Sequence, residues 1–511
     1  MNKQTVTYLT FLYISLPVFI FFFGWLHSIY AAVLSGLLLL GVWKYLRRPV
    51  DNPDFTATPV SAVNPWQWVL IAGLAFGWVF FSGIGGFANQ DWDHHFRNAL
   101  FRDLIVESWP VYYNFPASYP DPELASHHSA LNYYLTFWLP AALVGKWWGA
   151  EVARFFLLFW SYAGVLLVLY HLNRLFTFRY ALIVSLLFMG WSGLDVLGRL
   201  IIQPLANFTT FQLEAYYLYS YTAFTSNLYN VFNQAIPTWL ITLWVFNHPN
   251  RLNLLPIAFL LAYAPFPFVG LALLYYAYYG LNCLARGHTV ANVLAGILSE
   301  FRQLENIMAI LCLLVPYALF YSAHTSSVPS ALFWSRNLVG TRREKLQVIV
   351  FYFVTFFLEA GVYFLSIGLL SKKVYQTYKR LFWLCFITLL FLPFWIVGTG
   401  NDFASRGSMP FLVMLCVMTA QALIDGIDNR VPISRFVIPL LALLIAWVTP
   451  AVAITDGIAF QNPPVIQNSI GTFSNPKVSR ANNTHGIYPS LVNYYAHEPK
   501  QHFFYKYLTK K

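Results

Sequence analysis

Residues 66–98 read WQWVLIAGLAFGWVFFSGI followed directly by GGFANQDWDHHFRN, and the contrast between the two parts decides the fold. The first part, residues 66–84, contains no ionisable side chain and is long enough to cross a hydrocarbon layer of about 30 Å as an α-helix. The second part holds two carboxylates, two imidazoles and one guanidinium within residues 91–97. Ionisable groups at the edge of an apolar segment are costly, so this polar loop indicates a functional site.

The composition places the whole chain in the membrane class. Of its 511 residues, 58% are hydrophobic and only 10% are charged, and the mean hydropathy is +0.55. Apolar runs recur along the entire length, which excludes a soluble globular protein. The first run, near residues 9–26, is followed at once by a second run without a small-residue cleavage site, so we expect a retained anchor rather than a cleaved signal.

The net charge of +11 does not indicate a nucleic-acid partner in this chain. Most lysines and arginines lie in short loops between apolar runs, which is the usual orientation signal of a membrane protein. The cysteines all fall inside apolar segments and have no CxxC spacing, so neither a disulfide framework nor a zinc site is predicted. These cysteines are Cys283, Cys312, Cys385 and Cys416.

The apolar runs predict about 13 transmembrane helices and therefore an all-α integral membrane protein. The predicted spans lie near 8–27, 29–46, 66–84, 151–172, 180–198, 234–249, 252–264, 267–285, 304–323, 346–370, 381–398, 409–427 and 434–454. The basic loops between them fall on one side, which is expected to be cytoplasmic. The chain is therefore predicted to cross the inner (plasma) membrane with its N-terminus inside and its C-terminus outside.

This orientation requires that the apolar stretch 130–148 does not cross the membrane. Pro140, Lys146 and the Trp147-Trp148 pair favour an amphipathic helix at the outer interface instead, with aromatic rings at headgroup depth. The predicted domains are a transmembrane domain over 1–454, with two additional helices at 8–46, a core from residue 66 and an outer loop over 85–150, and an extracytoplasmic tail or small cap over 455–511.

The acidic loop offers two candidate catalytic carboxylates. Helical periodicity begins near Asp93, so Asp93 is expected in the first turn of a helix and Asp91 in the loop before it. Two adjacent carboxylates usually raise the pKa of one of them, which suits general-base work. Helix capping alone is the simpler interpretation of Asp93. The nearby imidazoles leave open a divalent cation, Mg or Mn, bound by Asp91 and Asp93, although the spacing matches no tight metal signature.

Basic residues in the predicted outer loops run against the orientation rule and therefore carry more information than those inside. Arg336, Arg342 and Arg343 precede one span, and Arg406 lies in a short loop with Asn401 and Asp402. Guanidinium groups bind phosphate through forked hydrogen bonds, so a lipid phosphate site is one interpretation. Contacts with anionic headgroups, or an Asp402–Arg406 pair that fixes the loop, are the alternatives.

Several of these pieces follow one another in an order that resembles a known family. They are Asp93 at the start of a helix, Trp109-Pro110, the turn His127-His128-Ser129-Ala130, an interfacial helix from Leu131-Asn132-Tyr133-Tyr134 to Trp147-Trp148-Gly149, and Asn173-Arg174-Leu175-Phe176 closing the next span. This order resembles the GT-C superfamily of polytopic glycosyltransferases, in particular the branch of protein O-mannosyltransferases and the lipid A aminoarabinose transferase. The resemblance covers roughly residues 66–200, and the later spans match only by topology. The family's Asp-Glu pair is Asp93-His94 here, with the second acid at Asp91.

The resemblance implies a transferase that takes a sugar from a polyprenyl-phosphate carrier to a glycan, lipid or protein acceptor and inverts its anomeric centre. It implies that Asp93 or Asp91 accepts the proton of the acceptor hydroxyl. It also implies that Arg406, with Arg336, Arg342 and Arg343, holds the carrier phosphate. The predicted substrate-binding residues are His94, His128, Asp402, Asn401 and Tyr133.

Two other classes stay open on the sequence alone. A glycan polymerase or ligase of the O-antigen type also has many spans and outward arginines. A transporter or flippase of lipid-linked sugars would place ionisable residues within spans, where Asp195 and Glu359 are the main candidates. Asn233-Gln234 most simply begins a helix, and its amides are a candidate for hydrogen bonds to a sugar.

Overall fold

The computed structural model describes residues 3–48, 64–90, 92–117, 126–176, 178–202, 213–248, 254–324, 330–398, 401–459 and 494–510. Asp91 and most of the tail therefore lie outside the described residues. The described part is mostly helical. Nine of its helices are long and apolar enough to cross a membrane. The chain is thus a multi-pass helical membrane protein by the length and composition of its helices, whereas the predicted number of about 13 spans stays a prediction.

The helices differ widely in length because several predicted spans are divided or shortened. They are α1 (Lys3–Trp25), α2 (Ser28–Arg47), α3 (Pro65–Phe80), α4 (Trp92–Val106), α5 (Leu139–Trp148), α6 (Ala150–Arg174), α7 (Ala181–Met189), α8 (Asp195–Ile201), α9 (Phe224–Phe246), α10 (Leu254–Tyr263), α11 (Pro265–Ala285), α12 (Val290–Phe301), α13 (Leu304–Ser322), α14 (Phe333–Asn337), α15 (Arg342–Leu370), α16 (Lys372–Phe391), α17 (Asp402–Gly407), α18 (Met409–Asp428) and α19 (Ile433–Ile458). The candidate spans are α1, α2, α6, α11, α13, α15, α16, α18 and α19.

The predicted span 180–198 is not one helix. Helix α7 ends at Met189 and α8 begins at Asp195. Gly190 and Gly193 lie in the turn between them, where an added Cβ would collide with the side chains of Trp447 and Glu359 respectively. The side chains of Trp447 and Glu359 therefore leave room only for glycine in this turn. The apolar run in the sequence did not reveal the break between α7 and α8, because it depends on these distant residues.

Two small sheets lie among the loops, so the described part is not purely helical. The strands are β1 (Tyr112–Asn114), β2 (His128–Leu131), β3 (Ser330–Leu332), β4 (Trp395–Val397) and β5 (Tyr495–His497). Strand β2 is central in an antiparallel sheet, with Ala130 opposite Tyr112 of β1 and Ala496 of β5. The C-terminal segment 494–510 is thereby joined to the loop that follows α4. Strands β3 and β4 pair antiparallel beside α17.

The predicted interfacial helix is shorter than expected. Helix α5 begins only at Leu139, because residues 128–131 form β2 rather than the start of a helix. Ten residues rise about 15 Å, half of a hydrocarbon layer, so α5 cannot cross it. Trp147 and Trp148 are each more than 60% exposed at its end, as an interfacial position requires.

The basic residues predicted to be cytoplasmic meet at one end of the helix bundle. Arg48 bonds Glu305 at 2.6 Å, Arg179 bonds Asp428 at 3.0 Å, and Lys373 lies 3.7 Å from Asp425. We name this the Arg179 end. The opposite end, named the Asp93 end, carries α4, the β1-β2-β5 sheet and residues 494–510, which bond the last turn of α1. Helix α2 separates the two ends by about 30 Å.

Candidate functional site

A glycine turn positions α4 at the Asp93 end. Gly83, Gly85 and Gly86 all have positive φ values of 76–79°, which side-chain-bearing residues rarely adopt. The guanidinium of Arg154 in α6 fixes this turn, since its Nε donates to Gly85 O at 2.7 Å and its Nη2 to Gly86 O at 3.0 Å. Gln90 then links the turn to α4 by donating to Gly83 O at 2.7 Å. The start of α4 is therefore held by α6.

Asp93 lies in the first turn of α4 with its side chain 43% exposed. Its Oδ2 accepts a hydrogen bond from Arg97 Nη2 at 3.1 Å, and the Arg97 side chain is only 8% exposed. The buried guanidinium holds one carboxylate oxygen of Asp93 in place, and part of the carboxyl group stays exposed. Asp91 lies outside the described residues, so its role as alternative base or as metal ligand stays a prediction.

Helix α17 positions the second group of candidate residues. Asn401 has φ 55° and caps the helix, since its Oδ1 accepts from Ala404 N at 3.4 Å and its Nδ2 donates to Pro393 O at 3.3 Å. Gly398 has a φ of 82°, and an added Cβ there would collide with the Asp402 carboxylate. Asn401 thus acts on the helix end, and glycine at 398 allows Asp402 to fold back over the loop.

The two groups come together although more than 300 positions separate them in sequence. Burial raises the pKa of Asp402, the Arg406 guanidinium opposes that rise, and the charge of Asp93 adds to it. Burial also raises the pKa of Tyr133. The charges of Arg97 and Arg406 oppose this rise, and the charge of Asp93 adds to it. Asp93, Tyr133, Asp402 and Arg406 therefore share one electrostatic environment. The roles assigned to them from sequence remain predictions.

Two residues that the sequence interpretation missed also belong to this environment. The Tyr494 ring stacks on Tyr133 with 4.4 Å between centroids, and Tyr494 O accepts from Asn132 N at 2.8 Å. Glu214 accepts a hydrogen bond from Ala223 N at 2.8 Å. Burial raises the pKa of Glu214 to about 8, the charge of Asp195 adds to this, and the charge of Arg406 opposes it. Neither residue lies in a recognisable motif. Tyr494 is in the polar C-terminal tail, and Glu214 precedes the tyrosine-rich run 216–221.

The histidines predicted to bind substrate lie in different surroundings. His94 is buried beside Asp93, and burial together with Arg97 lowers its pKa to about 3, so the ring is neutral at physiological pH. Its ring packs on Phe232 with 6.2 Å between centroids. His128 lies on β2, where its Nδ1 is 2.6 Å from Asn114 Oδ1. The described contacts place His128 in the small sheet rather than among the groups around Arg406.

The remaining predicted phosphate ligands lie on exposed positions. Arg336 ends α14, next to the β3-β4 pair that precedes α17 in the chain. Arg342 and Arg343 begin α15, whose start is fixed by a capping box between Thr341 and Glu344. None of the ion pairs found within the described ranges includes one of these three arginines. Their role in binding a phosphate stays a prediction.

The described residues contain no group of three or more His, Cys, Asp or Glu side chains that could hold a metal ion. Because Asp91 is outside that part of the chain, the predicted Mg or Mn site at Asp91 and Asp93 stays a prediction. Comparisons with known protein families, with curated proteins and with solved structures found no match. The function must therefore be inferred from the chemistry of the site itself.

Proposed function

We propose that this protein is a membrane glycosyltransferase that moves a sugar from a polyprenyl-phosphate carrier to an acceptor hydroxyl, with inversion, at the outer face of the membrane. The observation that supports it best is the shared environment of Asp93 and Arg406. A carboxylate and a guanidinium that act on the same group, Asp402, can serve as a base and as an anion-binding group for one substrate.

In this proposal each group has one task. Asp93 removes the proton of the acceptor hydroxyl, and the acceptor oxygen bonds to the anomeric carbon of the sugar. The bond from that carbon to the phosphate oxygen breaks, and the carrier phosphate leaves with the electron pair. Arg406 stabilises the charge that develops on the phosphate, where few water molecules compete. Arg97 keeps the Asp93 carboxylate oriented through the 3.1 Å bond.

The first test replaces the base. Asp93→Asn keeps the shape of the side chain and removes its ability to accept a proton, so transfer should fall by about 10²–10⁴-fold. Transfer of radiolabelled sugar from polyprenyl-phosphate donors by purified protein in lipid measures the rate, with Asp91→Asn alongside. Glu151→Gln is the matched control, because Glu151 is an exposed carboxylate in an ion pair with the neighbouring Arg154. Full activity in both aspartate variants would refute the proposal.

The second test replaces Arg406, the proposed binding partner of the carrier phosphate. Arg406→Lys keeps the positive charge but loses the forked geometry, so KM for the donor should rise by about tenfold and Arg406→Gln should lower kcat as well. Lys373→Gln serves for comparison, since this exposed cation lies at the Arg179 end and its removal should leave both KM and kcat unchanged. An Arg406→Gln variant with an unchanged KM and kcat would exclude this arginine from donor binding.

A transporter of lipid-linked sugars is the second candidate, because Asp195 and Glu359 are buried and interact electrostatically with each other. Glu359 lies in a π-helical segment inside α15, and such segments are frequent at functional sites. Movement of a labelled donor across proteoliposomes without sugar transfer, lost in Glu359→Gln, would favour this candidate over the transferase.

A further inference from the structure

Helix α9 carries uncharged polar side chains on both sides of a kink at Val231. Ser226, Asn227 and Asn230 lie within about 100° of one another at 3.6 residues per turn, and Asn233 and Gln234 follow the kink. These side chains are not turned to solvent: apart from Asn230, which is half-buried, all of them are buried. A buried face of amides inside a membrane protein is costly unless it has hydrogen-bond partners. We name this set the amide face.

The amide oxygens of this face are not used within the protein. The oxygens of Asn227, Asn230 and Asn233 are buried and have no hydrogen-bond partner among the residues the structure describes. Their amide nitrogens are engaged in two cases, since Asn227 donates to Thr222 O at 3.0 Å and Asn233 to Tyr134 O at 3.5 Å. These bonds orient the two side chains and leave the oxygens to face another group. Other buried polar atoms of the described residues also have no partner, but these three carbonyl oxygens lie close together along one helix, beside the environment of Arg406, where a ligand that donates hydrogen bonds would satisfy them.

Both ends of the amide face reach the candidate site. At one end Ser226 lies beside the Glu214 carboxyl group, which interacts with Arg406. At the other end Asn233 contacts the backbone of Tyr134, whose phenol interacts with Asp402 and Arg406. The helix is kinked between these ends, because Val231 has the non-helical angles φ −140° and ψ 40°. The amide face is therefore continuous with the environment of Arg406.

The chemistry of the face selects its ligand. Carbonyl oxygens accept hydrogen bonds, so they suit hydroxyl groups and disfavour phosphate, which has no proton to donate at neutral pH. The unengaged groups on this face are mainly acceptors, so they suit a ligand that presents several hydrogen-bond donors. We propose that the amide face binds the hydroxyl groups of the transferred sugar while Arg406 binds the carrier phosphate. This inference rests on the proposed transferase function and adds which residues recognise the sugar.

Asn230 provides the sharpest test, because its side chain makes no hydrogen bond that would fold the helix. Asn230→Leu keeps the volume and removes the amide. Binding of polyprenyl-phosphate hexose and of bare polyprenyl phosphate is measured on purified protein in lipid nanodiscs. The wild type should bind the hexose-linked form at least about tenfold more tightly. Asn230→Leu should lose about five- to tenfold in affinity for the glycosylated form only, as expected for one or two lost hydrogen bonds.

Thr242→Val is the matched control, since it removes a buried polar atom from the same helix outside the amide face and should leave both affinities unchanged. Asn230→Asp adds a negative charge and should shift preference toward a donor carrying a cationic amino sugar. Asn230→Ala gives the same comparison without apolar bulk if Asn230→Leu misfolds. Equal wild-type affinities for the two lipids, or an equal loss for both in Asn230→Leu, would overturn the inference.

The two proposals fail in distinguishable ways. If the protein distinguishes glycosylated from bare carrier through Asn230 but transfers no sugar to any acceptor, the amide face binds sugar and the transferase proposal is wrong. If it transfers sugar and every Asn230 variant has wild-type KM, the transferase proposal holds and the inference about the amide face is wrong.

Discussion

Arg406 interacts electrostatically with Asp402 and Glu214, and it shares the surroundings of Asp93 through Tyr133 and Asp402. An arginine surrounded by three ionised carboxylates would be a poor site for an anion. Burial raises the pKa of both Asp402 and Glu214, and this favours their neutral forms beside the guanidinium. Glu214, with a pKa of about 8, is mainly protonated at pH 7 and then does not neutralise Arg406. No pattern in the sequence could show this, because it depends on the burial of Glu214 by distant residues.

Glu214 should therefore make both the stability of the protein and its KM for the donor depend on pH. Its pKa is raised from 4.5 to about 8 in the folded protein, so the folded state binds more protons than the unfolded state between these values. The contribution of Glu214 to the free energy of unfolding is largest below pH 4.5, decreases as the pH rises toward 8, and no longer changes above that pH. Ionised Glu214 would also neutralise Arg406, so KM for an anionic donor should rise above pH 8.

Glu214→Gln should remove both effects, because glutamine keeps the shape of the side chain without a titrating proton. Thermal unfolding and donor KM measured between pH 5 and 9 test this, with Glu151→Gln as an exposed control. If the variant keeps the wild-type pH profile of both quantities, another group in the site titrates instead.

At the scale of elements, the C-terminal segment completes the Asp93 end. Strand β5 adds to the sheet through Ala130, and Tyr505 OH donates to Leu131 O at 3.1 Å. This segment carries Tyr494 against Tyr133, so an aromatic ring from one end of the chain forms a wall of the site beside α4. The composition of the tail over 455–511 could not predict this docking, because a three-residue strand pairs through its backbone and has no hydrophobic periodicity.

Replacing this ring should affect the site more than the fold. Tyr494→Ala removes a stacked pair worth about 0.5–1.5 kcal/mol beyond its buried area, and it frees Tyr133. Donor KM or kcat should worsen by about three- to tenfold in the radiolabelled transfer assay. Tyr494→Phe keeps the ring and should retain most activity, and Tyr507→Ala removes an exposed ring of the same segment as a control. Unchanged kinetics in Tyr494→Ala would mean that the segment only covers the loop.

The helices were predicted best where one apolar run forms one helix, as in α1, α2, α6 and α18. Helix α9 begins at Phe224, ten positions before the predicted residue 234, because its first half has the amide face and reads as a polar loop. The prediction was right for a helix at Asp93, since charge against an apolar background is visible in sequence. Arg406 follows one candidate span and precedes another as predicted, but it lies in the short helix α17 rather than in a loop. It missed Glu214 and Tyr494, whose importance comes only from the residues they touch.

At the scale of the whole molecule, the two ends differ in how their basic residues are paired. Those of the Arg179 end form ion pairs, whereas Arg336, Arg342 and Arg343 take part in none of the ion pairs found among the described residues. This difference fits two opposite sides of a membrane. Positively charged loops favour the cytoplasmic side, and Arg48, Arg179 and Lys373 share their end with acidic partners. Arg336, Arg342 and Arg343 lie at the other end, so in the predicted orientation they run against the rule that positive charge favours the cytoplasmic side. Positive charge on the non-cytoplasmic side is unfavourable for insertion. Such charge is expected there when it binds an anion and does not set the orientation.

Ser299 and Ser335 make a matched pair for testing this orientation. Both are exposed and both donate a hydrogen bond to the carbonyl three residues earlier, but Ser299 lies in α12 near the Arg179 end and Ser335 lies in α14. In a Cys283→Ala background, whose remaining described cysteines are buried, Ser335→Cys in intact cells should react with a membrane-impermeant maleimide. Ser299→Cys should react at least about tenfold more slowly until the membrane is permeabilised. The reverse pattern would place Asp93 and Arg406 on the cytoplasmic side, and a transferase there would take its donor from the inner leaflet.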